Sequence, residues 1–205
     1  MSSAIALVAS LIAMVPSPCP ASNSKASGLI AITGSNFFDR SADLWDFGTG
    51  LDLAGIVPIG RALDLRLDTG GRWFEGSDAV VRDPGRAPRW GAKQGETPAA
   101  LRAIPTTLSL VYRLEQWSNG RYWVPYLGGG FGLYDFHASY ESAANGARAH
   151  DLFRAGWHVR GGVQLHRTSG LFIDVQTAVH AVDVPGHWAS FFDLGVGVGA
   201  ELPAH

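Results

Sequence analysis

Cysteine, lysine and charge are what this chain has least of. Its 205 residues include one cysteine, Cys19, and two lysines, Lys25 and Lys93. One thiol makes no intramolecular disulfide, and if processing removes Cys19, thiol chemistry and cysteine-based metal centres are excluded as well. Charged residues reach 17%, below the usual level of about a quarter. A net charge of -2, with no basic patch among exposed aromatics, gives no reason to expect a nucleic-acid partner. The histidines His150, His158, His166 and His180 lack ligand-like spacing, so no metal is expected, nor any other cofactor. The apolar run from Ala4 to Val15 is too short to cross a bilayer as a helix. Glycine, by contrast, is abundant at 26 residues, which argues against long helices and for closely packed strands.

The Ala4–Val15 run has the length of a signal-peptide h-region. Small and polar residues follow to Ala26, with cleavage contexts near Ala21 and Ala26. The chain is therefore expected to divide into a cleaved signal peptide over 1–26 and one domain over 27–205. An n-region without Lys or Arg departs from the pattern, and an N-terminal core element is the competing reading. Cys19 sits between prolines, outside a lipoprotein-type context.

The clearest patterning lies in Phe153 to Ala181. Phe153, Ala155, Trp157, Val159, Val163 and Leu165 alternate with Arg154, His158, Arg160, Gln164 and His166. After the turn residues Arg167 to Gly170, Leu171, Ile173, Val175 and Val179 alternate with Asp174, Gln176 and His180. A period of two puts apolar groups on one face of a strand and polar groups on the other. The same period recurs over Phe47–Val57, Ala62–Phe74, Ile104–Glu115 and Ala189–Leu202, and more weakly over Gly28–Phe38 and the glycine-rich Tyr122–Phe136. Glu75–Ala103, His137–Leu152 and Val182–Trp188 read as loops, Pro58–Arg61 and Gln116–Arg121 as tight turns.

Eight strands of about ten residues suit tilted membrane-crossing strands. Longer connections after odd strands and tight ones after even strands fit an up-and-down barrel. The expected fold is all-β, an eight-stranded antiparallel up-and-down transmembrane β-barrel. Trp45, Trp73, Trp117, Trp123 and Trp188 fall near strand ends, as an aromatic girdle requires. A soluble lipocalin-like barrel would share the period with its apolar face inside. The scarcity of Lys and the mid-strand charges on one face favour lipid outside.

The inward set is then Asp52, Asp64, Arg66, Asp68, Arg72, Arg113, Glu115, Arg154, His158, Arg160, Asp174, His180, Asp193 and Glu201. An eight-stranded barrel barely holds its own side chains, so these charges are expected to pair and plug the lumen. Gly128, Gly129, Gly130, Gly132, Gly161, Gly162, Gly195, Gly197 and Gly199 make room for large groups opposite. No helix follows them, as a phosphate loop would need.

Ile104–Leu114 (IPTTLSLVYRL) and Val124–Tyr134 (VPYLGGGFGLY) resemble the core of small bacterial outer-membrane β-barrel proteins of the OmpA/OmpX/OmpW-like group. The resemblance implies a bacterial outer-membrane location, with membrane lipid and the barrel-assembly machinery as partners. Such proteins usually end on an aromatic residue, whereas this chain ends Glu201-Leu202-Pro203-Ala204-His205.

His137-Ala138-Ser139 with Glu141 resembles the catalytic set of lipid A deacylases, in which His activates Ser. The surrounding residues do not match that family, and the segment reads as the start of a loop. The expected role is structural, or binding of a small solute or ligand through extracellular loops, chiefly Glu75–Ala103.

Overall fold

Strands with one polar and one apolar face pair with their chain neighbours until the first meets the last, because closure leaves no open edge. The computed structural model takes that course. It describes residues 25–77, 90, 93, 95–114, 122–142, 146–166 and 170–202. The signal-peptide reading, Glu115 and Trp117 lie outside the described residues.

The strands are β1 (Ser27–Phe37), β2 (Trp45–Pro58), β3 (Leu63–Gly76), β4 (Thr97–Arg113), β5 (Trp123–Ser142), β6 (Gly146–His166), β7 (Leu171–Val184) and β8 (His187–Glu201). They form one closed antiparallel barrel in chain order. The seam between β1 and β8 runs from Ser27↔Glu201 to Phe37↔Phe191. A 3-10 turn, Arg40–Asp43, links β1 to β2, and the Asp39 carboxylate caps it by accepting the Ser41 N–H at 2.8 Å.

Large apolar side chains cover the outside, with Ile32 at 71% and Phe131 at 78% exposure. That reverses the lipocalin arrangement, in which such groups fill the interior. Bulky interior groups stand opposite glycine: Tyr126 opposite Gly162, Phe172 opposite Gly199 and Phe74 opposite Gly48. A Cβ at Gly162 would lie 2.7 Å from the Tyr126 ring.

Two segments read as loops are largely strand, and a third, Glu75–Ala103, is strand at both ends. His137–Leu152 is the top of the β5–β6 hairpin, paired from His137↔Asp151 to Ser142↔Gly146. β3 runs on to Gly76, and β4 begins at Thr97. β7 continues to Val184, and Pro185 and Gly186 alone turn into β8, with Gly186 at a φ of 90° that favours glycine. The expected alternation of long and short connections therefore holds only in the first half of the chain, since the connections after β5 and β7 are short. The asymmetry between rims lies also in strand length, as β4, β5 and β6 have 17, 20 and 21 residues. They rise at the rim away from the chain ends, here called the mouth.

Candidate functional site

On β2 and β3, Asp52, Asp64, Arg66, Asp68 and Arg72 share a parity, so the pleat points them all inward, where they are buried. Two guanidinium groups organise them. Arg72 grips Asp52 in a fork, Nη1 to Oδ1 at 2.6 Å and Nη2 to Oδ2 at 2.8 Å. It also donates to Asp193 Oδ2 from Nε at 3.1 Å and Nη2 at 2.6 Å. Arg66 donates to Asp68 at 2.9 Å, Asp174 at 3.1 Å and the Gln176 carbonyl at 2.6 Å. Arg160 reaches Asp68 from β6 at 2.9 Å. The Tyr126 hydroxyl donates to Asp174 at 2.9 Å. Forked, charge-assisted bonds of this kind are what let ionised groups persist away from water.

Two histidines extend the layer. His158 Nε2 is 2.7 Å from Ser109 Oγ, and His180 Nδ1 is 2.8 Å from the Tyr134 hydroxyl. The His180 ring stacks on Phe191 at 4.6 Å, with Nε2 3.3 Å from Asp193. Nearer the chain ends Asp64 faces Arg113 at 3.5 Å. Two expected lumen residues take no part in this network. Glu201 is exposed at the rim, 4.0 Å from Lys25. Arg154 is half-buried and donates to the Phe153 carbonyl at 3.2 Å.

Above the charges the interior turns apolar. Phe37, Phe74, Tyr134, Phe136, Tyr140 and Phe191 form one buried cluster with Trp45 and Trp90. Trp90, read as a loop residue, is the stopper. Its ring meets Phe136 edge-on at 4.8 Å and Phe37 at 6.0 Å. Its indole N–H donates to Ser41 Oγ at 3.2 Å, and its carbonyl accepts from the Tyr140 hydroxyl at 2.8 Å. The same loop is clasped by Glu96, which accepts from Arg148 Nε at 3.0 Å and Nη2 at 2.9 Å. Those Arg148 bonds hold the Glu96 carboxyl below its usual range.

This aromatic layer has a sequence signal that the alternation concealed. On β5, Leu127, Phe131 and Leu133 point out, but beyond them Asp135, His137 and Glu141 do. Phe136, Ala138 and Tyr140 therefore point in. The period survives while its polarity inverts. Trp45 is corrected for the same reason: it is buried against Tyr140 at 6.0 Å rather than set in a girdle. Trp73 and Trp188 are exposed on the outer face, and Trp123 is half-exposed.

His137, Ser139 and Glu141 sit on the outer face of β5. His137 Nδ1 pairs with the Asp151 carboxylate on β6, and Ser139 Oγ donates to the Ala100 carbonyl at 3.1 Å. The acid beside the histidine is thus Asp151, not Glu141. The serine is engaged by backbone, where an activated nucleophile would bond the base.

A closed eight-stranded antiparallel barrel, apolar outside and ion-paired within, is the fold of the small outer-membrane β-barrels. No family model matches the sequence, and no curated protein matches it either. Among solved structures the barrel is similar to Neisserial surface protein A, at 13% identity and a TM-score of 0.59, covering 86% of this chain and 97% of that one. It is also similar to Ail, the attachment invasion locus protein of Yersinia pestis, at 12% identity and a TM-score of 0.56, covering 87% and 99%. At these identities the likeness establishes the fold.

Proposed function

We propose that this chain is an integral protein of a bacterial outer membrane whose lumen is sealed, and that it acts as a structural or ligand-binding protein through its mouth. The observation that carries this reading is the double filling of the barrel: forked ion pairs at mid-height and an aromatic stopper above. A filled bore leaves the mouth loops and the tall β4–β6 wall as the surfaces for recognition. The outer belt supports lipid contact, since large exposed apolar side chains encircle the barrel. The fold shared with a Neisserial surface protein also supports the location. The barrel-assembly machinery is the partner such a chain requires during biogenesis.

The test is conductance. Detergent-solubilised protein inserted into planar bilayers is expected to show no steady current, and a steady ohmic conductance would overturn the sealed-lumen reading. A second reading rests on the His137–Asp151 pair beside Ser139, an acyl-transfer site at the outer wall. There, Ser139→Ala would abolish acyl release from membrane lipid. Equal release by the variant, or none by the wild type, rejects that reading.

A further inference from the structure

The ion-paired layer surrounds a cavity of about 20 Å3. Five polar atoms of its lining make no hydrogen bond among the described residues. Two of them, Asp68 Oδ2 and His180 Nε2, are held in ion pairs with Arg160 at 2.9 Å and Asp193 at 3.3 Å, which leaves Thr33 Oγ1 on β1, Thr107 Oγ1 on β4 and Arg160 Nε on β6. Their side chains are buried, at 3%, 2% and 6% exposure. None of the three atoms finds a hydrogen-bond partner among the described residues. A buried donor or acceptor left unpaired is costly, and native proteins satisfy such groups with protein or with ordered water. Three strands converging on one cavity with three unspent groups is an arrangement with a ligand.

The chemistry of the leftovers defines that ligand. The carboxylates lining the cavity are already engaged: Asp52 and Asp193 by Arg72, and Asp68 by Arg66 and Arg160. What remains is one N–H donor and two hydroxyls that both donate and accept. A neutral molecule that accepts one hydrogen bond and gives two fits this set. The volume exceeds the roughly 10–15 Å3 one water needs and is too small for an organic solute.

We propose that the barrel holds a structural water bound by Thr33, Thr107 and Arg160, a ligand that completes the ion-paired layer. The bonds bridge β1, β4 and β6, walls that do not adjoin one another in the sheet. The water thus ties the bore across its width.

The proposal is tested by Thr33→Val and Thr107→Val, which keep side-chain shape and delete only the hydroxyl. For the full chain refolded in detergent micelles, each variant is expected to lower the folding equilibrium constant by about tenfold in urea titrations. If the hydroxyls bond nothing, valine removes an unsatisfied group, and the constant stays level or rises; that result overturns the proposal. Replacing NaCl by choline chloride is expected to leave the loss unchanged. A loss that vanishes in choline would mean a sodium ion occupies the cavity and would also overturn it. Should neither variant refold, wild-type protein with labelled threonine methyls decides the matter. Slow-exchange water cross-peaks from Thr33 and Thr107 are expected, and their absence refutes the bound water.

Discussion

Trp73, Arg102, His137 and Asp151 are successive cross-strand partners on the outer wall of β3 to β6. Below this row the barrel carries leucine, phenylalanine and valine outside and arginine and aspartate inside. At the row and above it, Glu75, His137, Glu141 and Asp151 are outside, while Phe74, Ala138 and Tyr140 are inside. The two regions share one backbone geometry and opposite solvents. Under the outer-membrane location proposed above, the lower region faces hydrocarbon, so polar groups must find partners within the bore. In the upper region the surroundings are water, so the wall folds as in a soluble protein, with its apolar side inward. The row where the polarity flips is where the membrane surface is expected to lie.

The contrast predicts different penalties for breaking each region. The largest belongs to Arg72. Arg72→Leu leaves Asp52 and Asp193 buried without their cation, at a cost of about 3–5 kcal/mol. In urea titrations and heat-modifiability gels the variant should fall far below wild type; a loss under about 1 kcal/mol would show that the layer is not a paired network. Trp90→Ala ranks next, at about 3 kcal/mol for emptying a large aromatic site. Because the charge layer still fills the bore, bilayer current should remain absent in that variant. Current in Trp90→Ala alone would assign the whole seal to the stopper. Arg160→Ala should be milder, about 1.5–3 kcal/mol, since Asp68 keeps its bond to Arg66.

The smallest effect concerns the clasp. Glu96→Gln keeps the shape but loses the charge, so it should cost about 1 kcal/mol or less given the partly exposed Arg148. The clasp should also respond to acid. The folded carboxyl of Glu96 lies below its ordinary value of 4.5. Its contribution is therefore present above pH 4.5 and lost as pH falls further, through the folded value. The hydrogen-exchange protection factor of the backbone around Trp90, taken relative to the intrinsic rate at each pH, is expected to fall in that acid range in wild type and to stay flat in Glu96→Gln.

Strand number and phase were readable because period two is strong wherever one side is apolar and the other charged or glycine, as in Leu63–Trp73 and Phe192–Val198. The top of β5 and β6 was misread as loop for a physical reason. Residues such as His137, Ser139, Glu141 and Asp151 look like loop composition, although Phe136, Ala138, Tyr140 and Leu152 alternate with them. The inward charges of β2 and β3 were legible from parity alone. Their pairing was not, since Arg72 takes one partner from β2 and the other from β8. Trp90 could not be placed at all, because its segment has no periodicity and its site is built from strands distant in sequence.

Asp193 follows Arg72 by 121 residues, whereas Asp52 precedes it by 20. The near partner belongs to the β2–β3 hairpin, which needs only a short turn to form. The far partner lies on β8, the strand that closes the seam, so it arrives when the chain has finished its longest-range pairing. During folding Arg72 is thus first half-satisfied and later fully enclosed, which ties dehydration of the bore to the act of closure. Such an order makes the Arg72–Asp193 contact a late event that governs how slowly the barrel reopens more than how fast it assembles.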